Sequence, residues 1–241
     1  MSPTPVVADF YAHLRRHYDR LFPLDRARPE FLLAQTPGRN AYLDLGCATG
    51  TLAESLALDF KRLEGWDLDE GFLEQARHRC RNLPQLSFEP RDLLEVGQAH
   101  DRFDLISCLG NTVVHLDSIG RIGEFLARAR RKLRGNGVVV LQTVNYDALP
   151  DGVHDFPVLE REELRFERSY RPREDGRIDF TTVLTTPDAR TESVTALLPL
   201  KQGMLADLAL AAGYSHVAFR GSFDRRAWSP RASATIAVLR R

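Results

Sequence analysis

The chain has 241 residues, a length that a single α/β domain with one continuous core commonly reaches. Its 33 basic and 33 acidic side chains cancel, so no broad positive surface is expected to gather the phosphates of a nucleic acid. The cysteines Cys47, Cys80 and Cys108 lack disulfide or metal-ligand spacing, and no apolar stretch has the length of a signal peptide or a membrane span. These features predict one cytoplasmic domain without a metal, a nucleic-acid partner or a membrane anchor.

Short apolar runs alternate with helical patterns from Ala41 to Val144, as in consecutive βαβ units of a parallel sheet. The runs are AYLDL, RLEGW, QLSFE, FDLISCL and GVVVLQTV. One helix is predicted after a cap at Asp69, and another after a cap at Asp117 or Ser118. Their apolar faces comprise Phe72, Leu73, Ala76, Cys80 and Leu83 in the first helix, and Ile119, Ile122, Leu126, Ala129 and Leu133 in the second, which Gly135 and Gly137 are expected to end.

After Pro150 the apolar pattern changes to the alternation that is typical of strands. Three antiparallel strands are predicted around Phe166, Ile178 and Val194, with turns at 175–176 and 187–188. A helix from Met204 to Ala212 and two closing strands, HVAFRGSFD and SATIAVLRR, follow. The pattern predicts an α/β fold in which a mostly parallel sheet carries helices on both faces and an inserted antiparallel meander.

The segment LDLGCATGTLAESLA joins a strand ending at Asp44 to a helix through a tight loop with Gly46 and Gly50. Such a turn lets the backbone approach a ligand and directs helix N–H groups at it. A phosphate-binding P-loop is excluded because Thr51 stands at the position of its second glycine and no lysine follows. Of the three glycines of the dinucleotide-binding fingerprint G-x-G-x-x-G, this chain has only the first, since Ala48 and Thr51 stand at the other two positions.

The loop resembles motif I of the class I S-adenosylmethionine (SAM)-dependent methyltransferases, D-x-G-x-G-x-G, with alanine in place of the middle glycine. This resemblance implies a Rossmann-like sheet of seven strands and SAM as cofactor, with S-adenosylhomocysteine (SAH) as product. The segments LGNT, after the fourth predicted strand, and NYD, after the fifth, resemble the glycine and sarcosine N-methyltransferase branch. That branch has an arginine where this chain has Val144, so glycine is not the expected substrate. The likeness covers roughly residues 10–150.

Acidic residues at two further strand ends complete the expected cofactor site. Asp67 closes the second strand, where a carboxylate can accept hydrogen bonds from both ribose hydroxyls. By the resemblance, Asp92 accepts a bond from the adenine amino group; the alternative for either aspartate is a helix cap. The predicted cofactor residues are Tyr18, Asp44, Gly46, Cys47, Ala48, Gly50, Asp67, Leu68, Asp92, Leu93, Leu109 and Thr112.

The resemblance also predicts residues on the acceptor side. Asn111 is expected near a polar group of the substrate, and Tyr11 and Tyr18 of the N-terminal helix above the sulfonium, whose charge an aromatic face favours. The alternative for these aromatic residues is ordinary core packing.

The meander offers Arg168 and Tyr170 for recognition of an anionic substrate, unless the arginines pair with nearby glutamates in a solvated hairpin. A general base is needed only when the nucleophile arrives protonated. The candidates are His115 and Tyr146, with His154 as a further one.

These features predict a methyltransferase that transfers the methyl group of SAM to a small molecule, at nitrogen or oxygen more readily than at carbon. It would act as a monomer or homodimer. The predicted single domain comprises a helical cap (1–40), a cofactor-binding core (41–149), a substrate lid formed by the meander (150–200) and the end of the core sheet (201–241). Two alternatives stay open: a SAM- or nucleoside-binding module without catalysis, and an NAD-dependent oxidoreductase, against which the missing glycines argue.

Overall fold

The computed structural model describes residues 5–241, and of residues 5–11 it describes the backbone alone. The chain forms two compact units. One comprises the described residues up to Leu24 together with Leu149–Pro199, and the other comprises Asp25–Ala148 and Leu200–Arg241. We call them the smaller and the larger unit. The organisation as a single domain stays a prediction.

The helices and strands follow one another in an order close to the predicted one. The helices are α1 (Pro5–Leu21), α2 (Ala27–Gln35), α3 (Thr51–Ser55), α4 (Glu70–Arg79), α5 (Ile119–Arg131) and α6 (Gln202–Ala211). The strands are β1 (Ala41–Leu45), β2 (Arg62–Asp67), β3 (Leu86–Pro90), β4 (Phe103–Cys108), β5 (Leu133–Val144), β6 (His154–Asp155), β7 (Leu159–Arg161), β8 (Leu164–Pro172), β9 (Ile178–Thr185), β10 (Arg190–Leu197), β11 (His216–Arg220) and β12 (Ala234–Arg240). Two short 3₁₀ helices cover Leu93–Gln98 and Thr112–His115.

The larger unit contains a seven-stranded sheet with the order β11-β12-β5-β4-β1-β2-β3. Strands β1 to β5 are parallel, whereas β12 pairs antiparallel with β5 and β11 antiparallel with β12. Every residue of β1 and β4 is buried, as expected for central strands of a parallel sheet. The mostly parallel seven-stranded sheet is thus confirmed. Chain order reverses between β1 and β4, the point where ligands bind at the carboxyl ends of the strands in open α/β sheets.

Two helices end earlier than their apolar spacing predicts. Helix α4 ends at Arg79, and Cys80 donates its backbone N–H to Ala76 as the C-cap, although Cys80 still packs against Leu73 and Ala76. Helix α5 ends at Arg131, and Leu133 instead begins β5, where it pairs with Phe103. An apolar residue one turn beyond a helix also fits the first buried position of a strand, and periodicity does not distinguish the two.

The predicted glycine stop after α5 is also wrong. Gly135 and Gly137 lie within β5, next to a register shift opposite Phe103 and Leu105. A Cβ at Gly137 would lie 2.7 Å from the carbonyl oxygen of Phe103. Gly137 therefore allows two strands to approach closely where their pairing is irregular, and it does not end a helix.

The smaller unit combines α1 with an antiparallel sheet of order β10-β9-β8-β6, and β7 also pairs with β8. The meander and its two turns are confirmed, and β6 and β7 are additional short strands. Leu14 and Leu21 of α1 pack against Leu164, Phe166 and Leu184. No helix among residues 5–241 is long and apolar enough to span a bilayer.

Candidate cofactor site

The loop between β1 and α3 has a left-handed backbone at alternate residues. The φ angles are 73° at Gly46, 46° at Ala48 and 75° at Gly50. A Cβ at Gly46 would lie 2.6 Å from Thr112, and one at Gly50 would lie 2.8 Å from Phe88. Both glycines are therefore required by packing and by backbone conformation together.

Backbone hydrogen bonds hold the loop against β2. The N–H groups of Gly46 and Cys47 donate to the Trp66 carbonyl over 2.7 and 3.1 Å, and the N–H of Gly50 donates to the Cys47 carbonyl over 2.9 Å. The N–H of Ala48 donates to Asp67. These four N–H groups form hydrogen bonds within the protein and fix the loop; contact of the loop with a cofactor stays a prediction.

Asp67 lies beside this loop at the end of β2. Its Oδ2 accepts the N–H of Ala48 over 2.9 Å, and its Oδ1 accepts the N–H of Asp69 over 3.0 Å. Burial raises the pKa of Asp67, although these two backbone bonds favour its charged form. Each oxygen of a carboxylate has a second lone pair, so the group can accept further bonds from the two hydroxyls of a ribose.

Asp44 is buried one strand away, in β1. Its Oδ1 accepts the hydroxyl of Ser107 over 2.5 Å, and that hydroxyl lies 2.8 Å from the hydroxyl of Tyr42. Burial, together with the charge of Asp67, raises the pKa of Asp44 to about 6, against the opposing effect of the Ser107 and Tyr42 hydroxyls. A nearby cation would favour the ionised form. Sequence reasoning missed Ser107 and Tyr42; the signal was a hydroxyl inside an otherwise apolar buried strand.

The end of β3 contributes Asp92, which caps a 3₁₀ helix. Its Oδ1 accepts the N–H of Leu94 over 2.8 Å, while Glu95 accepts the N–H of Asp92 over 3.1 Å, the reciprocal pattern of a capping box. Asp92 therefore acts as a helix cap, the alternative that the sequence left open, and its contact with adenine stays a prediction. Leu68, directly after Asp67, is 72% exposed, and Leu93 is half-buried.

The ends of β4 and β5 are joined by Asn111 and Tyr146. The Nδ2 of Asn111 lies 3.2 Å from the Tyr146 hydroxyl, and its Oδ1 accepts the N–H of Val144 over 3.1 Å. Tyr146 is buried. The sequence assigned Asn111 to the substrate and Tyr146 to base catalysis, and the structure brings the two into contact.

Leu109 and Thr112 lie in the same segment. The Thr112 hydroxyl donates to the Leu109 carbonyl over 2.6 Å, and the Thr112 side chain packs on Gly46. His115, at the end of this 3₁₀ helix, is exposed, although neighbouring atoms partly desolvate the imidazole and lower its pKa. A neutral imidazole at pH 7 can accept a proton.

Comparisons with known proteins agree with this geometry. Residues 43–147 match the sequence model of a family described as a methyltransferase domain. Over 151 residues the chain is 30% identical to a glycine/sarcosine N-methyltransferase of Parasynechococcus marenigrum, an alignment that covers 56% of this chain and 50% of that protein. The family match begins in β1 and ends three residues after β5.

Solved structures of methyltransferases share the fold. The CcbJ methyltransferase from Streptomyces caelestis has a TM-score of 0.81 at 19% identity, covering 94% of this chain and 95% of that chain. SAM-bound CalS10, an amino pentose methyltransferase from Micromonospora echinaspora, has a TM-score of 0.68 at 22% identity, covering 99% of both chains. The chain spans between 34% and 50% of the length of the curated relatives it matches.

The chemistry of these residues fits the cofactor of a SAM-dependent methyltransferase. Asp67 suits a ribose diol, Asp44 suits an ammonium group, and the exposed Leu68 suits the apolar face of a purine. Cys47 and Cys108 are buried, and burial raises the pKa of both thiols, which opposes a thiolate nucleophile at this site. No group of residues that could hold a metal ion occurs in the described part of the chain.

The smaller unit holds the remaining predicted site residues. The side chain of Tyr11 lies outside the described residues. Tyr18 is half-buried and packs on Phe22, with ring centroids 5.1 Å apart. Arg168 and Tyr170 lie on β8, and the buried ring of Tyr170 contacts the rings of Phe156 and Phe180.

A cavity of about 670 Å³ in the smaller unit is lined by α1 and by the turn between β9 and β10. His17 and Thr191 are among its lining residues, and none of the predicted site residues whose side chains the structure describes is. The cavity therefore does not include Tyr18, Arg168 or Tyr170, the residues of this unit to which the sequence assigns a role.

Proposed function

We propose that the protein transfers the methyl group of SAM to a nitrogen or oxygen atom of a small-molecule acceptor. The observation that carries this proposal is the carboxylate of Asp67, pinned by two backbone N–H groups beside a left-handed loop at the carboxyl edge of the sheet. A carboxylate fixed in this way has little orientational freedom left to lose when it binds a diol.

Different residues of the larger unit bind different parts of the cofactor. Asp67 holds the ribose, and Asp44 interacts with the ammonium group, which favours its ionised form despite burial. Asp92 and Leu68 hold the adenine. The bound cofactor supplies an electrophilic methyl group on a sulfonium.

The acceptor side needs alignment and a dry environment more than strong acid–base chemistry. Asn111 and Tyr146 position the acceptor at the ends of β4 and β5. His115 accepts the proton when the nucleophile arrives protonated. The N-methyltransferase relative and the amino pentose methyltransferase support an amine nitrogen as the acceptor atom.

Binding is tested by calorimetric titration of the full chain with SAM, SAH and NAD. We expect SAH to bind and Asp67→Asn to weaken it by about 1–3 kcal/mol, roughly 5- to 150-fold, because ligand hydroxyls lose a charged acceptor. Asp117→Asn, which removes an exposed carboxylate paired with Arg121, is the control and should leave the affinity unchanged. Binding of NAD without SAH would refute the proposal.

Catalysis is tested with methyl-labelled SAM and a panel of amines and hydroxyl compounds. Label transfer supports a methyltransferase, and an amine product identifies the acceptor atom. SAH binding with no transfer to any member of the panel would instead favour the binding module without catalysis.

A further inference from the structure

Asn145, directly after β5 in the larger unit, is 1% exposed although its side chain is polar. Burial of an amide is costly unless hydrogen bonds replace its contacts with water. Its Nδ2 donates to the carbonyls of Ser229 and Ala232 over 3.1 and 2.9 Å, and its Oδ1 accepts the N–H of Asp147 over 3.1 Å. The Thr235 hydroxyl lies 3.4 Å from the same Oδ1. The protein therefore supplies partners for both donor positions and both acceptor positions of this amide.

Asn145 also shapes the turn that contains Tyr146. The side chain of Asn145 accepts the N–H of Asp147, and its backbone carbonyl accepts the N–H of Ala148 over 3.1 Å. Tyr146 is thus the second residue of a turn that Asn145 closes with two bonds, the pattern of an Asx turn. The hydroxyl of Tyr146 lies 3.2 Å from the Nδ2 of Asn111. Because the backbone of Tyr146 lies inside this turn, the direction of its side chain depends on Asn145.

The other bonds of Asn145 attach the turn to residues 221–233, which connect β11 to β12 and which we call the β11–β12 loop. Strand β12 runs antiparallel to β5, with Ala234 opposite Val144, so the end of this loop lies at the carboxyl end of β5. The backbone N–H of Asn145 adds a long bond of 3.5 Å to the Ser233 carbonyl. The loop and the turn therefore meet at the edge of the sheet to which the acceptor is assigned.

The β11–β12 loop is itself held in place at two further points. Near its start, the ring of Phe223 packs edge-on against Phe31 of α2, with centroids 5.6 Å apart. Near its end, the half-buried Trp228 donates its indole N–H over 3.0 Å to the hydroxyl of Thr235, which also contacts Asn145. A buried polar network in which each member is satisfied rigidifies its surroundings and specifies one arrangement. The loop can therefore serve as a fixed support for the turn.

We propose that Asn145 is a positioning residue of the methyl-transfer site, which fixes the direction of Tyr146 by tying its turn to the β11–β12 loop. The amide of Asn145 is fully engaged by the protein, so it acts through Tyr146 and not on the acceptor. A misplacement of about 1 Å in an aligning group can lower the rate by roughly 100-fold. This inference rests on the proposed function in one respect, because that function assigns Tyr146 and Asn111 to the acceptor.

The test compares Asn145→Asp with Asn136→Asp in the full chain. Asn145→Asp keeps an oxygen for the turn but replaces the donor to Ser229 and Ala232 by a carboxylate oxygen, so it releases the loop. Asn136→Asp makes the same change at an exposed asparagine near the start of β5 and is the matched control. In Asn145→Asp alone, we expect faster amide hydrogen exchange in the β11–β12 loop and a shifted NMR resonance of the Asn111 side-chain amide.

Activity is measured with the amine or hydroxyl compound that accepts label from methyl-labelled SAM. Asn145→Asp should lower kcat/KM for this acceptor at least ten-fold, while the affinity for SAH stays within about two-fold. Loss of stability alone would not separate the acceptor from SAH in this way. Thr235→Val, which removes the hydroxyl between Trp228 and Asn145, should produce the same changes at smaller size. It decides the test if thermal unfolding shows that Asn145→Asp does not fold.

Faster exchange in the loop with an unchanged Asn111 resonance and unchanged kcat/KM would overturn the inference and give Asn145 a purely structural role. If no compound accepts label, the Asn111 resonance of the SAH-bound protein decides: a shift supports the inference and its absence overturns it. The two proposals fail separately. A wild-type chain that binds no SAH contradicts the methyltransferase function, whereas an unchanged Asn111 resonance in Asn145→Asp contradicts the positioning role alone.

Discussion

Gly46 offers a quantitative test of how the cofactor loop is held. A left-handed residue other than glycine costs roughly 1–2 kcal/mol, and a methyl group forced into packed space costs about 1–3 kcal/mol. Gly46 has a φ of 73°, and a Cβ there would lie 2.6 Å from both Cγ2 and Oγ1 of Thr112. We therefore expect Gly46→Ala to lower the free energy of unfolding by about 2–5 kcal/mol, the sum of the two effects.

A double-mutant cycle separates the two effects. Thr112→Ala removes both clashing atoms, and its own cost is about 1 kcal/mol for the lost hydrogen bond to the Leu109 carbonyl. The double variant should be more stable than the sum of the single effects predicts by at least about 1 kcal/mol. Gly110→Ala is the control for backbone strain alone, because Gly110 has a φ of 67° and nothing within 4 Å of its Cβ position.

The assay is urea unfolding followed by tryptophan fluorescence. The chain has two tryptophans, Trp66 and Trp228, and both lie in the larger unit with the loop. The signal therefore reports the unit that contains the substitutions. Equal losses in Gly46→Ala and Gly110→Ala, or additivity in the cycle within about 0.5 kcal/mol, would refute the packing argument.

Three further predictions concern the same unit. Ala48→Gly should raise its free energy of unfolding by about 0.5–1 kcal/mol, since relief of the left-handed φ of 46° exceeds the entropy that glycine adds to the unfolded chain; a loss of stability would contradict this. Asp44 has a pKa of about 6 when folded, raised by burial from 3.8, so its favourable contribution is present below pH 4 and is lost as the pH rises through 6. Between pH 4 and 7 the wild type should therefore lose about 2 kcal/mol of unfolding free energy relative to Asp44→Asn, and a constant difference between the two would exclude the raised pKa. Tyr146→Phe, which removes the hydroxyl 3.2 Å from Asn111, should lower kcat about 100-fold with unchanged SAH affinity, because the acceptor loses one of the two side chains that position it; a change below about two-fold would assign Tyr146 a structural role.

The larger unit was predictable because its signals are local. The five apolar runs became β1 to β5 because a strand covered on both faces must be apolar along its length. The boundaries were less certain: Leu133 continued the helical spacing of α5 but begins β5, because its partner Phe103 lies 30 residues earlier and leaves no local trace.

The roles of individual polar residues depended on partners distant in sequence. The sequence placed Asp67 at the end of a strand, but only the folded chain shows that its carboxylate fixes Ala48, 19 residues earlier. Asn111 and Tyr146 came from separate motifs, and their contact follows from the pairing of β4 with β5. Ser107 was missed because nothing beside it in the sequence indicates that its hydroxyl bonds to Asp44.

The sequence by itself determined the class of fold, the loop after β1 and the acidic strand ends, because backbone propensity and apolar period act over a few residues. Only the tertiary structure decided which N–H groups of the loop form hydrogen bonds within the protein and which buried polar atoms have no hydrogen-bond partner among the described residues, such as the Nε of Arg168 and the Oγ of Ser193. Hydrogen-bond satisfaction and desolvation depend on every atom packed around a group, and those atoms come from strands that the chain brings together only on folding.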